Sequence, residues 1–207
     1  MVVDPSMREY YERRAREYDD WWLGTGLFAG RDRPGWHAEV DALGTALAGL
    51  APARVLDVAC GTGFMTRRLR GEVTALDQSA KMVEVASWRL PDARVVQGEA
   101  VPLPFPDDSF DRVYTGHFYG HLAPGERTEF LAEAARVAPE LVIVDSALRD
   151  GVEREEQQER VLDDGSRHEV YKRYFDPDEL AAEIGGGDVI HAGLWFVAVR
   201  GRSGRPG

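Results

Sequence analysis

Three short stretches of the chain carry residues suited to holding a small polar ligand. The first is Val55-Leu56-Asp57-Val58-Ala59-Cys60-Gly61-Thr62-Gly63-Phe64, in which branched residues run into a carboxylate and then a glycine pair. Gly61 and Gly63 let the backbone turn sharply and approach a ligand closely. The second is Leu76-Asp77-Gln78-Ser79, with an acid twenty positions after Asp57. An acid at the tip of a second strand accepts both hydroxyls of a ribose. The third is Gln97-Gly98-Glu99-Ala100, whose acid is placed to accept from an exocyclic amine such as adenine N6. One glycine loop and two acids at strand ends describe an adenosine pocket.

The dinucleotide fingerprint G-x-G-x-x-G is not met, because the loop reads Gly61-Thr62-Gly63-Phe64-Met65-Thr66 and lacks the third glycine. Asp57 also stands where a pyrophosphate would bring negative charge. A carboxylate there suits a ligand with an ammonium group, and a nucleoside with an amino-acid tail is S-adenosyl-L-methionine (SAM).

Elements that alternate along the chain position these residues. Strands are expected at Val55–Ala59, Val73–Leu76, Arg94–Gln97, Phe110–Thr115 and Leu141–Asp145, with helices at Gly63–Arg70, Ser79–Leu90 and Pro124–Val137. That spacing predicts βαβ units and a parallel sheet with helices on both faces. VPLPFPDDSF (101–110) must be irregular, since its prolines lack a donor. Asp176–Ile184 reads as a helix with Asp176 as its cap and Pro177 in the first turn. The apolar strands Val189–His191 and Leu194–Arg200 are separated only by Ala192 and Gly193, too short a link for a parallel crossover, so they must be antiparallel.

The N-terminal part, residues 1–50, reads as a helical lid. One helix is expected over 6–22, capped by Ser6 with Glu9 three residues on, and a second over 36–49. Tyr10, Tyr11, Tyr18, Trp21 and Trp22 are interleaved with arginines in the first. Residues 51–200 form the main domain, with an irregular insert at 146–175 that covers the site. Within the insert, Glu153–Arg160 reads as a charged helix with a solvated face, and Asp164-Gly165 marks a hairpin turn. Residues 201–207 read as a disordered tail.

The 207 residues hold 43% hydrophobic and 29% charged residues with a net charge of −11, as in a globular domain. The acidic balance argues against a nucleic-acid substrate, and no segment has the length and apolarity of a membrane span or a secretory signal. One cysteine, Cys60, excludes an internal disulfide and fits a reducing cytoplasm. Two lysines against 23 arginines point to a GC-rich bacterial genome. The oligomeric state has no signal.

VLDVACGTGFMT, TALDQSAKMVEVA and VVQGEAVPLPFPDDSFDRVYTGHFYGHL resemble, in order, the motifs of class I SAM-dependent methyltransferases. The small-molecule branch similar to ubiquinone/menaquinone-biosynthesis methyltransferases is the best match, and YYERRAREYDDWW and YKRYFDPDELAAEI resemble it too. The resemblance implies a Rossmann-like three-layer sandwich on a seven-stranded, mostly parallel sheet ending in an antiparallel hairpin. It implies that Asp57, Ala59, Cys60, Gly61 and Gly63 wrap the methionine part of SAM and that Asp77 holds the ribose. It places Gln78 and Met82 near the adenine, and Gly98, Glu99 and Ala100 along its edge. Thr115, Gly116 and His117 then face the methyl donor and the acceptor. Ala59 replaces the family's usual first glycine, and Glu99 its usual aspartate. Tyr18 is expected over the cofactor, with Tyr11, Trp22, Tyr119, Tyr171 and Tyr174 around a small-molecule acceptor.

Methyl transfer from a sulfonium needs alignment and exclusion of water more than acid–base groups. Where the acceptor must lose a proton, His117, with an ordinary pKa near 6.5, is the candidate base. His117 and His121 lack a third metal ligand, and Cys60 lacks a partner that would make it a nucleophile. The expected products are a methylated acceptor and S-adenosyl-L-homocysteine (SAH). Two alternatives stand beside this: an NAD-dependent oxidoreductase, disfavoured by the missing third glycine and a missing Tyr-x-x-x-Lys pair, and a non-catalytic SAM-binding module.

Overall fold

The branched run that carries Asp57 forms the central strand of a parallel sheet. A computed structural model describes residues 5–202, with side chains from Met7 onward. Five parallel strands, β1 (Ala53–Val58), β2 (Gly71–Asp77), β3 (Arg94–Gln97), β4 (Arg112–Gly116) and β5 (Glu140–Ser146), are extended by an antiparallel hairpin. Its strands are β8 (Gly187–Ala192) and β9 (Phe196–Arg202), with β9 antiparallel to β5. The order across the seven strands is β3-β2-β1-β4-β5-β9-β8. It reverses between β1 and β4, so a crevice opens at the carboxyl ends of those two strands.

Side-chain alternation along each strand builds two cores. Leu56, Val58, Val113 and Ile143 face helices α5 (Pro124–Val137) and α6 (Pro177–Glu183) through Phe130 and Leu180. Val55, Val142, Val144 and Ala198 face α3 (Trp36–Ala48) through Trp36, Leu43 and Leu47. Helix α4 (Ala80–Arg89) starts where the Ser79 hydroxyl accepts from Met82 N, and α6 where Asp176 accepts from Asp178 N and Glu179 N. The Asp176 cap is the expected one.

Four sequence expectations are corrected. The helix over 6–22 is two helices, α1 (Pro5–Arg14) and α2 (Tyr18–Leu23). Tyr10 of α1 packs on Leu162 and Val170, whereas Trp22 of α2 packs in the α3 core, and one straight helix cannot serve both. The side chain of Ser6 lies outside those described. Between Gly63 and Arg70 only Thr66–Arg68 is helical, as one 3-10 turn. The link must run back along the six-residue β1, about 20 Å at strand rise, and eight residues of α-helix would cover only about 12 Å. The stretch read as a charged helix is strand β6 (Glu155–Val161), paired antiparallel with β7 (Arg167–Arg173) across the Asp164-Gly165 turn. Its residues alternate between exposed and half-buried, but the inward set is Glu156, Gln158 and Arg160, so no apolar period marks it. Finally, β9 runs on through Gly201 and Arg202, and the remainder of the expected tail, 203–207, lies outside the described residues.

Candidate cofactor and acceptor site

The loop after β1 is built around its two acids. Asp57 is buried on β1, and the Thr66 hydroxyl donates to its Oδ2 at 2.5 Å. Burial without a cation pushes the Asp57 carboxyl up to about 8, with the Asp77 charge adding to the rise. At the tip of β2, Asp77 accepts from Gly61 N and Ser79 N, each at 2.9 Å, which welds the glycine loop to the start of α4. Burial still lifts Asp77 to about 6. Gly61 has φ +55, and a Cβ there would sit 3.2 Å from the Tyr18 ring, so only glycine lets the lid aromatic close on the loop. Ala59 has φ +59, a left-handed conformation that glycine would adopt without strain.

Three connected spaces surround this loop. The largest, about 770 Å³, runs from Asp77, Gln78, Gly98 and Ala100 to Gly116 and His117, under a roof of Met7, Tyr11 and Tyr18. A second, about 290 Å³, lies between Asp57, Ala59, Cys60 and Phe64, beneath Tyr18 and Trp22. A third, about 360 Å³, leads from Tyr11, Tyr18 and His117 to Ser146, Arg160 and Lys172. Tyr18 borders all three.

Two buried side-chain oxygens on these walls, Asp57 Oδ1 and Gln78 Oε1, have no partner in the protein, and Glu99 Oε2, on a carboxylate turned toward Arg8, has none either. Buried polar atoms are nearly always paired, so these oxygens mark where a ligand's donors belong. SAM carries donors of the kind these oxygens accept, an ammonium and an exocyclic amine, and ribose hydroxyls for Asp77 on the same wall. The residues present therefore fit SAM.

The N-terminal helices are tied down by side chains. From α1, Glu12 accepts from Ala80 N at the head of α4, and Arg8 pairs with Glu99. From α2, Asp19 accepts from the Thr62 hydroxyl at 2.6 Å and pairs with Arg89.

Not every expected residue reaches the cleft. Gly63 packs on Leu90 instead, Met82 lies buried under the Ser79 cap, and the Glu99 carboxylate turns toward Arg8. The Thr115 hydroxyl is spent on Val58 O at 2.8 Å, joining β4 to β1. Tyr119 is a core residue between Phe130 and Phe175, its hydroxyl donating to Glu183. Tyr171 lies on the outer face of β7, where its carbonyl accepts from His121 Nδ1 at 2.7 Å. Its strand neighbours Lys172 and Tyr174 point inward. Cys60 lines the second space, but burial pushes its thiol well above the ordinary value, away from nucleophilic use.

His117 is where it was expected but not in the expected state. It sits at φ +57, caged by Trp21 and Trp22 at ring distances of 4.7 and 5.1 Å. Burial lowers its pKa to about 3, although Asp145 lies 3.7 Å from Nδ1. It is a neutral ring whose Nε2 has no partner in the protein. His121 is likewise held neutral by burial. Sequence reasoning missed Met7, Arg14, Tyr114, Ser146, Arg160 and Lys172 as wall residues. Tyr114 had a findable signal, because it stands opposite Asp57 in the β1–β4 register.

This strand order, with the glycine loop and acids at its switch point, is similar to that of class I SAM-dependent methyltransferases. Residues 55–140 match a methyltransferase domain family. The demethylmenaquinone methyltransferase of Thermotoga maritima is 36% identical over 132 residues, 61% of this chain and 54% of that one. The 2-phytyl-1,4-naphtoquinone methyltransferase of Synechocystis sp. is 32% identical over 146 residues, 64% of this chain and 57% of that one. The chain thus spans about half the length of these curated relatives. Among solved structures, the DhpI–SAM–HEP complex matches with a TM-score of 0.72 at 27% identity, covering 94% of this chain and 95% of that one. The DhpI–SAH complex matches with a TM-score of 0.68 at 28% identity, covering 94% of both chains.

Proposed function

We propose that the protein moves a methyl group from SAM to a small-molecule acceptor. The observation that carries this reading is the pair of partnerless buried acceptors at one end of the cleft, Gln78 Oε1 on the wall of the space of about 770 Å³ and Asp57 Oδ1 on that of the adjoining space of about 290 Å³. SAM supplies an activated methyl: the sulfonium carbon–sulfur bond breaks as the acceptor–carbon bond forms, and sulfur keeps the electron pair as the thioether SAH. Asp57 holds the ammonium, Asp77 the ribose, and Gln78 and the backbone at Ala100 the adenine. Residues 1–50 serve as the lid, with Tyr11, Tyr18 and Trp22 excluding water from the transfer line. Neutral His117 orients an acceptor hydroxyl or amine through Nε2. A proton lost by the acceptor leaves through the third space toward solvent.

A small acceptor, rather than a nucleic acid, suits the net charge of −11 and a site roofed by aromatic residues. Among the described residues no helix is long and apolar enough to cross a membrane. The bacterial relatives support a bacterial source, and the single cysteine fits a reducing cytoplasm. The test is SAH formation from SAM against panels of neutral quinols and of small acids, with Asp77→Ala as control. Acceptor-dependent SAH release lost in the variant is expected. SAM binding with no SAH from any acceptor would favour a binding module instead.

A further inference from the structure

Beyond the third space the cleft opens into a chamber of about 500 Å³ with an unusual wall. Arg31, Arg33, Arg149, Arg160 and Lys172 line it, and no Asp or Glu does. Acids outnumber bases 36 to 25 in the whole chain, so this composition runs against its balance. The five cations come from four separate segments: the loop before α3, the chain after β5, and strands β6 and β7.

Arg31, Arg33 and Arg149 are held in place by aromatic rings rather than by acids. Arg33 lies 3.8 Å from the Trp36 ring centroid and donates to Trp21 O at 2.9 Å, and Arg149 lies 4.5 Å from the Trp195 centroid. Stacking leaves the N–H edge of Arg149 and the remaining N–H groups of Arg33 open to the chamber. Among the described residues no carboxylate pairs with Arg31, Arg33, Arg149 or Arg160, and the buried Arg160 Nε has no partner at all. Burial and the neighbouring Arg31 lower the Arg33 pKa, and burial with Arg14 nearby lowers that of Arg160. Lys172 is paired with buried Asp145, and Glu156 is occupied by the Tyr174 hydroxyl. Neither acid offsets the four arginines. Gathering unpaired guanidinium groups costs free energy unless an anion arrives to match them.

We propose that the methyl acceptor is an oxyanion acid whose carboxylate, phosphate or phosphonate group is held in this chamber. Resting on the methyltransferase reading, this adds the chemical class of its acceptor. Arg160 and Lys172 border both the chamber and the third space, which reaches His117. An anion held there therefore directs the rest of the molecule toward Gly116 and His117. Forked guanidinium edges suit oxyanions geometrically.

Intrinsic fluorescence tests this directly, because Trp21, Trp36 and Trp195 line the chamber. The protein with SAH bound is titrated with inorganic phosphate, methylphosphonate, acetate and succinate at constant ionic strength, with chloride as the reference. A saturable change with at least one oxyanion is expected, and the responding arm identifies the head group. Arg149→Gln and Arg33→Gln should each weaken that binding about tenfold while SAH affinity is kept. In the acceptor panels, acids should be methylated and neutral quinols should not. Loss of SAH binding in wild type would defeat the methyltransferase reading itself. Intact SAH binding with no oxyanion response, or methylation of neutral quinols alone, would overturn only the anionic acceptor.

Discussion

In the proposed site, cofactor recognition turns on Asp57. With its carboxyl pushed up to about 8, it is mostly protonated at pH 7 in the unliganded protein. An ammonium against Oδ1 favours the ionised form, so binding SAM at pH 7 should release close to one proton and tighten as pH rises from about 6 to 8. Calorimetry in two buffers of different ionisation enthalpy measures that proton, and equal apparent enthalpies would refute it. The same shift has a stability cost of known sign. Between about pH 4 and pH 8 the unfolded chain binds fewer protons at Asp57 than the folded one, so the unliganded fold weakens as pH climbs. Asp57→Asn should therefore gain thermal stability over wild type as pH increases while losing SAM affinity by about 10–100-fold. Next to it, Ala59 at φ +59 carries strain that glycine lacks. Ala59→Gly is expected to stabilise by about 0.5–1 kcal/mol in denaturant unfolding, the relief of a left-handed alanine less glycine's entropy cost. His117 at about pKa 3 contributes no inflection to a pH–rate profile between pH 5 and 8.

At the scale of elements, the strand tips were legible and the coverings were not. Asp57, Asp77, Gly98 and Ala100 follow branched runs whose burial fixes where each strand ends, so their place on the cleft could be read directly. Strand β6 could not, because its inward residues Glu156, Gln158 and Arg160 are polar and give no apolar period. On β7 the aromatic Tyr171 drew attention, but a one-residue change of face decides that Lys172 enters the site. The break between α1 and α2 was hidden for a similar reason: the two helices bury against different cores, which only the tertiary structure reveals. Arg89 holds α2 through Asp19 and the Thr62 hydroxyl. Arg89→Met should release that anchor, speeding hydrogen exchange over residues 18–23 and raising the SAM dissociation constant several-fold. Unchanged exchange there would mean α2 is fixed by its tryptophans alone.

Across the whole molecule, the charge distribution and the cleft run together. A chain of net charge −11 concentrates five cations on one inner wall and keeps two titrating acids, Asp57 and Asp77, on the opposite end of the same cleft. A cationic methyl donor and an anionic acceptor would each meet its complement, with Tyr18, Gly116 and His117 between them. Raising ionic strength should then increase KM for an acidic acceptor while changing SAM affinity much less, since Asp57 is fully enclosed. Equal salt sensitivity of both would argue that acceptor binding does not use the basic wall. The assignment of the cleft itself rests on a simpler experiment: calorimetric titration of the protein with SAM, SAH and NAD. Micromolar binding of SAM and SAH, with none of NAD, is the predicted result. Binding of NAD alone would contradict it and place the chain among the oxidoreductases.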